Sequence, residues 1–435
     1  MSLPAVAEYL FGVFADLIDT KMVSALGVFA ISAIAVTNQP KLFIFGVFFA
    51  LNVTVSALVA RLYGQQDQKK ACDVLVTSLM IALVLSTLFA LPCVFFADEI
   101  IDVCSGQDDT HAMSVEYFRI VMGFMFTNIV FMLVNSVLRG CGYTKVTLTS
   151  NVVASLVNIL GNWLLISGHW GFPALGVEGA AISTVISSVV ACCVSFYMLA
   201  KQKFFVNVIA CFKLKARCTK EAFFSILGMW RDITAENILT RIGFLFSSMI
   251  CARIGAFDMA VYSVGMILMN ISFAFGNGYL VSSVALVGRS LGEGAKDKVR
   301  LYCKYIQSSG FLCALVLGLL YILGGRSFFG FFNDNPEFLF KGFVSCLFIG
   351  AIGPFQVSQL IYNGVLKSMG KTKVTLVAAV VGVTIVNPIL AFLLVIVFHT
   401  GIWGIWASIL VSQIVRYVML RYSSIKTLGE LTANP

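Results

Sequence analysis

The chain has 435 residues, of which 59% are hydrophobic and only 12% are charged, with a formal net charge of +9. Together with a mean hydropathy of +0.94, this composition excludes a soluble globular domain and predicts a protein that folds in a lipid bilayer. The positive charge then reports membrane orientation, and no nucleic-acid partner is expected.

Twelve apolar stretches are each long enough to cross about 30 Å of hydrocarbon as a helix. They cover residues 4–26, 29–62, 70–97, 112–138, 145–168, 177–200, 224–252, 258–288, 300–325, 337–365, 373–398 and 402–422. The sequence therefore predicts an all-α membrane protein with twelve transmembrane helices in two six-helix lobes. Residues 1–200 are the predicted N-lobe, residues 201–222 a basic cytoplasmic linker, and residues 223–435 the C-lobe with a short cytoplasmic tail.

The second lobe repeats the first. Residues 59–64 return as residues 287–292, a shift of 228 (287 − 59), and the same shift sets Glu8 on Glu236 and Gly27 on Gly255. Near the end of each half the shift falls to 225 (401 − 176). Each copy holds six spans, so both copies enter the membrane in one orientation, with a two-fold axis along the membrane normal. Duplicated halves of this kind are typical of alternating-access transporters.

Lysine and arginine collect on one side of the predicted membrane. They occupy the even-numbered connections and the C-terminal tail: Arg61, Lys69, Lys70, Arg139, Lys145, Lys203 and the rest of the linker, Arg289, Lys296, Lys298, Arg300, Lys367, Lys371, Lys373, Arg421 and Lys426. The other side holds Asp98, Glu99, Asp102, Asp108 and Asp109. The positive-inside rule places both termini in the cytoplasm, in a plasma (inner) membrane protein. No cleavable signal peptide is expected.

The sequence lacks the catalytic residue patterns expected of a membrane-embedded enzyme. His111, His169 and His399 all fall at predicted external ends, so no buried histidine is available as a general base. The twelve cysteines lack metal-ligand spacing, and a glycine-rich phosphate loop is missing from the sequence. We expect no enzyme activity and no cofactor, and an ion gradient or the substrate's own gradient must supply the energy.

A few acids lie at membrane depth, where a charge costs about 2.5–3.5 kcal/mol and usually marks an ion or proton pathway. Asp16 and Asp19 share one face of the first helix, and Glu8 lies about 20° away from Asp19 around it. Glu236 lies within the seventh span. A structural salt bridge is the alternative for each acid, and Glu8 is close enough to the cytoplasmic end to be interfacial.

Polar side chains follow in the fifth and sixth spans. Asn158 and Asn162 lie one helical turn apart, and so do Ala180 and Thr184. Amide, hydroxyl and carbonyl oxygens can replace the water shell of Na⁺ or relay a proton. The asparagines can equally serve as hydrogen-bond glue between helices, worth ~0.6 kcal/mol on average. Both interpretations remain open on spacing alone.

Eight short segments in fixed order carry a family pattern, namely residues 4–5, 17–20, 26–27, 59–64, 138–142, 158–162, 171–181 and 286–292. On these segments nearly the whole chain resembles the multidrug and toxic compound extrusion (MATE) transporters. The resemblance implies a twelve-helix, two-lobed exporter that exchanges external Na⁺ or H⁺ for internal compounds. The implied partners are organic, often cationic amphipathic, small molecules or drugs and membrane lipid, and a monomer is expected.

The resemblance also implies a cation-coupling site. Asp19 matches the family's first-helix acid, and Asn158, Thr184 and Ala180 match the amide, hydroxyl and carbonyl beside it. Asn162 matches a position that is aspartate in some members, so one carboxylate is missing here. Na⁺ would rest on Asp19, Asn158, Asn162 and Thr184, completed by the Ala180 carbonyl. Because one carboxylate can be satisfied by a proton, the sequence favours H⁺ over Na⁺.

In the C-lobe, Glu236 matches the family's seventh-helix glutamate, whereas the tenth-helix acid of some members appears as Gln356 or a neighbour. Asp16 stands where asparagine is usual, and both Asp16 and Gln356 are expected in the substrate cavity. The implied mechanism is rocking of residues 1–200 against residues 223–425. A lipid-linked precursor flippase of the same superfamily is the nearer alternative and would need a basic cavity. A membrane-embedded enzyme or scaffold is the more distant one.

Overall fold

The structure, a computed structural model, describes residues 2–105, 110–201 and 204–433. Asp108, Asp109 and Lys203 of the predicted topology lie outside the described residues. The described residues form helices joined by short turns and loops, and they contain no β-strand. They are α1 Ser2–Ser24, α2 Val28–Gly64, α3 Gln68–Phe95, α4 Ala97–Ser105, α5 His111–Gly123, α6 Met125–Gly140, α7 Thr144–Ser167, α8 Gly176–Ala200, α9 Val208–Lys213, α10 Lys220–Ile254, α11 Ala256–Gly292, α12 Lys296–Gly330, α13 Pro336–Ser368, α14 Thr372–Ala379, α15 Asn387–Phe392 and α16 Ile402–Ala433.

The predicted all-α membrane fold is confirmed. Within the described ranges, 10 helical stretches are long and apolar enough to cross a membrane, or up to 11 if the pair α5 and α6, bent by 47°, forms one span. The predicted span over residues 112–138 is this bent pair. The first predicted span corresponds to α1, a helix of 23 residues. It is not among these 10 stretches, because its three acids and Lys21 make it more polar than the others.

A glycine in the left-handed backbone region separates the first two helices of each repeat. Gly27 has φ 103° and Gly255 has φ 149°, and the two positions are related by the repeat shift of 228 (255 − 27). A side chain at either position would be strained at this φ value. The paired glycines therefore set the same helix–turn–helix entry in both copies.

The chain divides into two compact units, residues 3–230 and residues 231–435. The predicted linker packs within the first of them, the N-terminal unit. Gln68 Nε2 donates to the Phe205 carbonyl at 2.5 Å, and the Arg217 amide donates to Asp73 Oδ1 at 3.0 Å. Asp67 caps the start of α3 through its contact with the Lys70 amide at 3.0 Å. The contacts of Gln68 and Asp73 hold the linker against the N-terminal end of α3.

The second unit, the C-terminal unit, is built around α13, which packs against α11, α12 and α16. Trp406 on α16 is completely buried, and its ring lies where a Cβ atom on Gly265 of α11 would stand. Two π-helical segments, Val380–Val386 and Leu393–Val397, flank α15 in the fifth span of this repeat. They fall in the stretch where the repeat shift changes from 228 to 225.

Candidate cation site

Two helices of the N-terminal unit bring together three of the predicted cation ligands. Asp19 lies on α1, and Asn158 and Asn162 lie on α7 with exposed fractions of 8% and 2%. Asn162 Nδ2 donates to Asp19 Oδ1 at 3.0 Å. With its amide nitrogen turned to the same carboxylate, Asn158 donates to Oδ1 at 2.8 Å and to Oδ2 at 2.6 Å. Two neutral amides therefore solvate one half-buried carboxylate.

Helix α8 completes this site with Thr184 and Ala180. In this orientation the amide oxygen of Asn158 lies 3.5 Å from Thr184 Oγ1. The Thr184 hydroxyl donates to the Ala180 carbonyl at 2.9 Å. The buried Oδ1 of Asn162 has no hydrogen-bond partner in the described part of the chain. A carboxylate, two amides and a hydroxyl with one unused amide oxygen can hold either Na⁺ or a proton. All five residues predicted from the sequence thus lie in one neighbourhood.

Small residues allow α7 and α8 to approach closely enough for these contacts. A Cβ atom on Gly161 would collide with the Ser183 side chain, and one on Gly179 would collide with the Leu165 carbonyl. Ser183 Oγ donates to the Asn158 carbonyl at 2.8 Å. Close packing over small residues with an interhelical hydrogen bond is the usual way in which membrane helices associate.

The sequence analysis missed two residues of this site, Lys41 and Tyr117. Lys41 on α2 interacts electrostatically with both Asp16 and Asp19, and its Nζ lies 5.9 Å from the centre of the Tyr117 ring. Tyr117 is 6% exposed and lies close to Thr184. Lys41 was visible in the sequence, since it falls inside the predicted second span, where a lysine at membrane depth is itself a functional signal.

Glu8, for which the sequence left an interfacial position or a structural salt bridge open, is buried, with an exposed fraction of 7%. Arg139 Nη1 lies 2.7 Å from its Oε1, Thr147 Oγ1 donates to its Oε2 at 2.7 Å, and Asn151 Nδ2 donates to its Oε1 at 2.9 Å. These donors from α6 and α7 surround a carboxylate on α1. The structural salt bridge therefore describes Glu8 in this structure.

Glu236 occupies the repeat-related position and has the same kind of environment. Lys367 Nζ lies 3.0 Å from Oε2 and Arg416 Nη2 lies 3.4 Å from Oε1. Asn363 Nδ2 donates to Oε1 at 2.6 Å and Thr375 Oγ1 donates to Oε2 at 2.9 Å. Lys367 and Thr375 are the repeat counterparts of Arg139 and Thr147 (367 − 139 and 375 − 147 both give 228). A carboxylate held by two cations is already neutralised without a coupling ion.

The two remaining predicted residues have opposite environments. The Asp16 side chain is exposed, close enough to Lys41 and Asp19 for electrostatic interaction with both. Gln356 is completely buried, so it lines no open surface in this conformation. Neither amide atom of Gln356 has a hydrogen-bond partner among the described residues.

The repeat counterpart of the Asp19 site carries no charge. Asp19 corresponds to Ser247 (247 − 19 = 228), and Asn162 corresponds to Asn387 (387 − 162 = 225). Asn387 Nδ2 donates to Ser247 Oγ at 2.8 Å, as Asn162 donates to Asp19. The hydrogen bond persists in both repeats, while the carboxylate belongs to the N-terminal unit alone.

Comparison with known families accounts for the duplicated architecture. The family model described as MatE matches residues 4–164 and again residues 233–393. The chain belongs to the MATE family. This membership confirms the resemblance on the short segments and makes the protein a multi-pass membrane transporter, not an enzyme.

MATE relatives are distant but match over almost the full length. A probable multidrug resistance protein NorM from Thermotoga maritima is 23% identical over 421 residues, which covers 96% of this chain and 89% of the relative. An uncharacterized transporter, YisQ, from Bacillus subtilis is 21% identical over 402 residues, covering 92% and 88%. The family and the architecture are therefore shared along the whole chain, at low identity.

Solved structures share the fold. An outward-facing multidrug resistance MATE transporter of the MOP superfamily matches with a TM-score of 0.92 at 18% identity, over 100% of this chain and 96% of that one. A MOP superfamily transporter from Pyrococcus furiosus, described as having a binding pocket of reverse polarity, matches with a TM-score of 0.90 at 18% identity, over 99% and 95%.

Proposed function

We propose that this MATE transporter is a cation-coupled antiporter that exports organic, often cationic amphipathic, compounds by alternating access. The relatives described as multidrug resistance proteins support the substrate class. The carboxylate of Asp19, solvated by two asparagine amides and present in one repeat only, supports the coupling. The protein acts in the plasma membrane with both termini in the cytoplasm.

The proposed coupling works by charge. Asp16, Asp19 and Lys41 interact electrostatically, and when all three are ionised the group carries a net charge of −1. One monovalent cation on Asp19 neutralises the group. A cationic substrate nearby then loses its counter-charge and leaves on the outer side, since a ligand can shift a conformational equilibrium only by its differential interaction with the two states.

We propose a proton as the coupling ion. Once protonated, Asp19 can donate to an amide oxygen, and the Oδ1 of Asn162 has no partner among the described residues, so the site needs no new ligand. Na⁺ requires amide oxygens around Asp19, whereas Asn162 donates an N–H to this carboxylate and Asn158 can do so with its amide nitrogen turned toward it. The positive charge of Lys41 also opposes the binding of Na⁺ beside it.

The coupling ion is tested in proteoliposomes loaded with a fluorescent organic cation. Efflux should follow an imposed inward proton gradient in Na⁺-free medium, because Asp19 needs only a proton. A requirement for Na⁺ at constant pH, together with loss of that requirement in Asn158→Ala, would overturn the proton proposal and identify a metal-ion site. Absence of efflux under either gradient, for a panel of organic cations, would favour the lipid-precursor flippase instead.

Lys41 should control the choice of ion. In Lys41→Met the two acids carry a net charge of −2, which favours binding of a small metal cation in addition to a proton. We expect Na⁺ to stimulate efflux by the variant at constant pH and to leave the parent protein unaffected. Lys21→Met, which removes an exposed lysine of the same unit, serves as the matched control. Equal Na⁺ responses in the parent and Lys41→Met would remove Lys41 from the site.

A further inference from the structure

The buried ion cluster of the C-terminal unit has an uncompensated positive charge. It consists of Glu236, Lys367 and Arg416, and each of these side chains is 4% exposed. One carboxylate neutralises only one of the two cations, which leaves a net charge of +1. The repeat-related cluster around Glu8 has no such excess, because the counterpart of Arg416 there is Ala191 (416 − 225 = 191).

Neighbouring acids do not cancel this charge. Asp232 lies one turn before Glu236 on α10, but it already pairs with Arg231 at 3.3 Å and accepts from Thr372 at 2.8 Å. The other acids described on α13 and α16, Glu337 and Glu430, are ~20 Å or more along their helices from the cluster. Lys371 and Lys373, in the turn before α14 and at its start, and Arg241 on α10 add only positive charge.

Buried amide groups without partners lie on α13 and α16, the two helices that carry Lys367 and Arg416. Gln356 and Gln359 on α13 and Gln413 on α16 are each completely buried. Among the described residues none of their amide nitrogens or oxygens has a hydrogen-bond partner, and neither has Arg416 Nε. Buried polar groups are almost always satisfied, so a group of orphan N–H donors at one place indicates a ligand.

The two helices that carry these side chains, α13 and α16, pack against each other. Gln356, Gln359, Asn363 and Lys367 lie three or four positions apart and so form one stripe of α13. The ring of Tyr417 on α16 lies 5.7 Å from that of Phe355 and 6.0 Å from that of Tyr362, which sets Gln413 and Arg416 beside the stripe.

The other repeat supports this placement. Asn128 and Ser188, the counterparts of Gln356 and Gln413 (356 − 128 = 228 and 413 − 188 = 225), contact each other across α6 and α8 at 3.4 Å. In the C-terminal unit the stem of Arg416 packs on Gly382, where a Cβ atom would lie 2.5 Å from its Cγ. The stem of Arg416 is therefore packed closely against the backbone at Gly382.

We propose that this cluster binds one halide ion, of which chloride is the test case, between α13 and α16. Amide and guanidinium N–H groups are the donors that a halide accepts, and a single negative charge balances the excess of +1. A cation is disfavoured by the two basic side chains. The anion site lies in the unit that lacks the Asp19 carboxylate, so cation coupling and anion binding are divided between the two repeats.

Anion binding is measured on the full-length protein purified in detergent and dialysed into sodium gluconate. Radiolabelled chloride should bind saturably with about one ion per chain. At ten times its dissociation constant, chloride should raise the melting temperature by about 2 °C relative to gluconate at equal Na⁺ concentration. Bromide should substitute for chloride. Stabilisation by acetate but not by chloride would overturn the halide site and indicate a carboxylate ligand.

Two substitutions separate an anion site from a general salt effect. Gln413→Leu removes amide donors without changing charge and should abolish chloride binding. Gln413→Glu supplies a fixed negative charge and should make the melting temperature independent of chloride. Asn128→Leu, the repeat-related change in the other unit, is the matched control and should bind chloride like the parent. Failure of the parent protein to bind chloride, or unchanged binding in Gln413→Leu, refutes the proposal.

Discussion

Replacing Asp19 by Asn should abolish gradient-driven efflux while the protein still folds and inserts. The substitution keeps the shape of the side chain and can keep the contacts with Asn158 and Asn162, but it removes the only group at that position that can exchange a proton or bind Na⁺. Removing a charge at membrane depth also lowers the insertion cost by about 2.5–3.5 kcal/mol. We therefore expect normal expression and melting temperature with transport at the background level.

The measurement is efflux from proteoliposomes under an imposed proton or Na⁺ gradient, normalised to the amount of folded protein. Glu221→Gln removes an acid of the same unit that is 76% exposed and should transport normally. Gradient-driven efflux by Asp19→Asn at the parent rate would show that coupling does not depend on this carboxylate, and the proposed cation site would have to be abandoned.

Replacing Glu236 by Gln should instead reduce the amount of folded protein. The charge of its cluster rises from +1 to +2, because Lys367 and Arg416 stay buried without a carboxylate between them. Breaking a buried ion pair by removing one partner typically costs about 3–5 kcal/mol. We expect a lower yield of monodisperse protein, a clearly lower melting temperature and reduced transport per cell.

A second variant separates stability from coupling at this position. Glu236→Gln combined with Lys367→Met restores the cluster charge to +1, so it should recover much of the melting temperature and transport per folded molecule. Glu337→Gln, an exposed acid of the same unit, should change neither quantity. If the double variant folds like the parent but still fails to transport, Glu236 takes part in coupling itself and the structural role is insufficient.

The sequence predicted the helices well because the bilayer imposes a local rule. A span needs about 20 consecutive apolar residues, and that property can be read along the chain without knowledge of any neighbour. The bend between α5 and α6 escaped this rule, since both parts are apolar and together have the expected length. The paired turns at Gly27 and Gly255 were visible as a repeat, because glycine is needed at their positive φ values.

The acids show where sequence reasoning stopped. Asp16, Asp19, Glu8 and Glu236 all stood out by their depth in apolar spans, but depth alone does not distinguish a coupling carboxylate from one in an ion pair. The partner of Asp19 is 143 residues away in the chain, and the partner Arg416 of Glu236 is 180 residues away. No local pattern reports such contacts, because they depend on how each helix is rotated and how closely it packs against its neighbours.

By itself, the sequence predicted a duplicated, all-helical membrane protein and several of the ionisable residues inside its spans, since hydropathy and repeat spacing are properties of neighbouring residues. Only the tertiary structure decided what each buried charge meets. It set two amides beside Asp19, a lysine within reach of Asp16, and two cations around Glu236, because the energy of a charge in a low-dielectric interior is set by the few groups that pack directly against it.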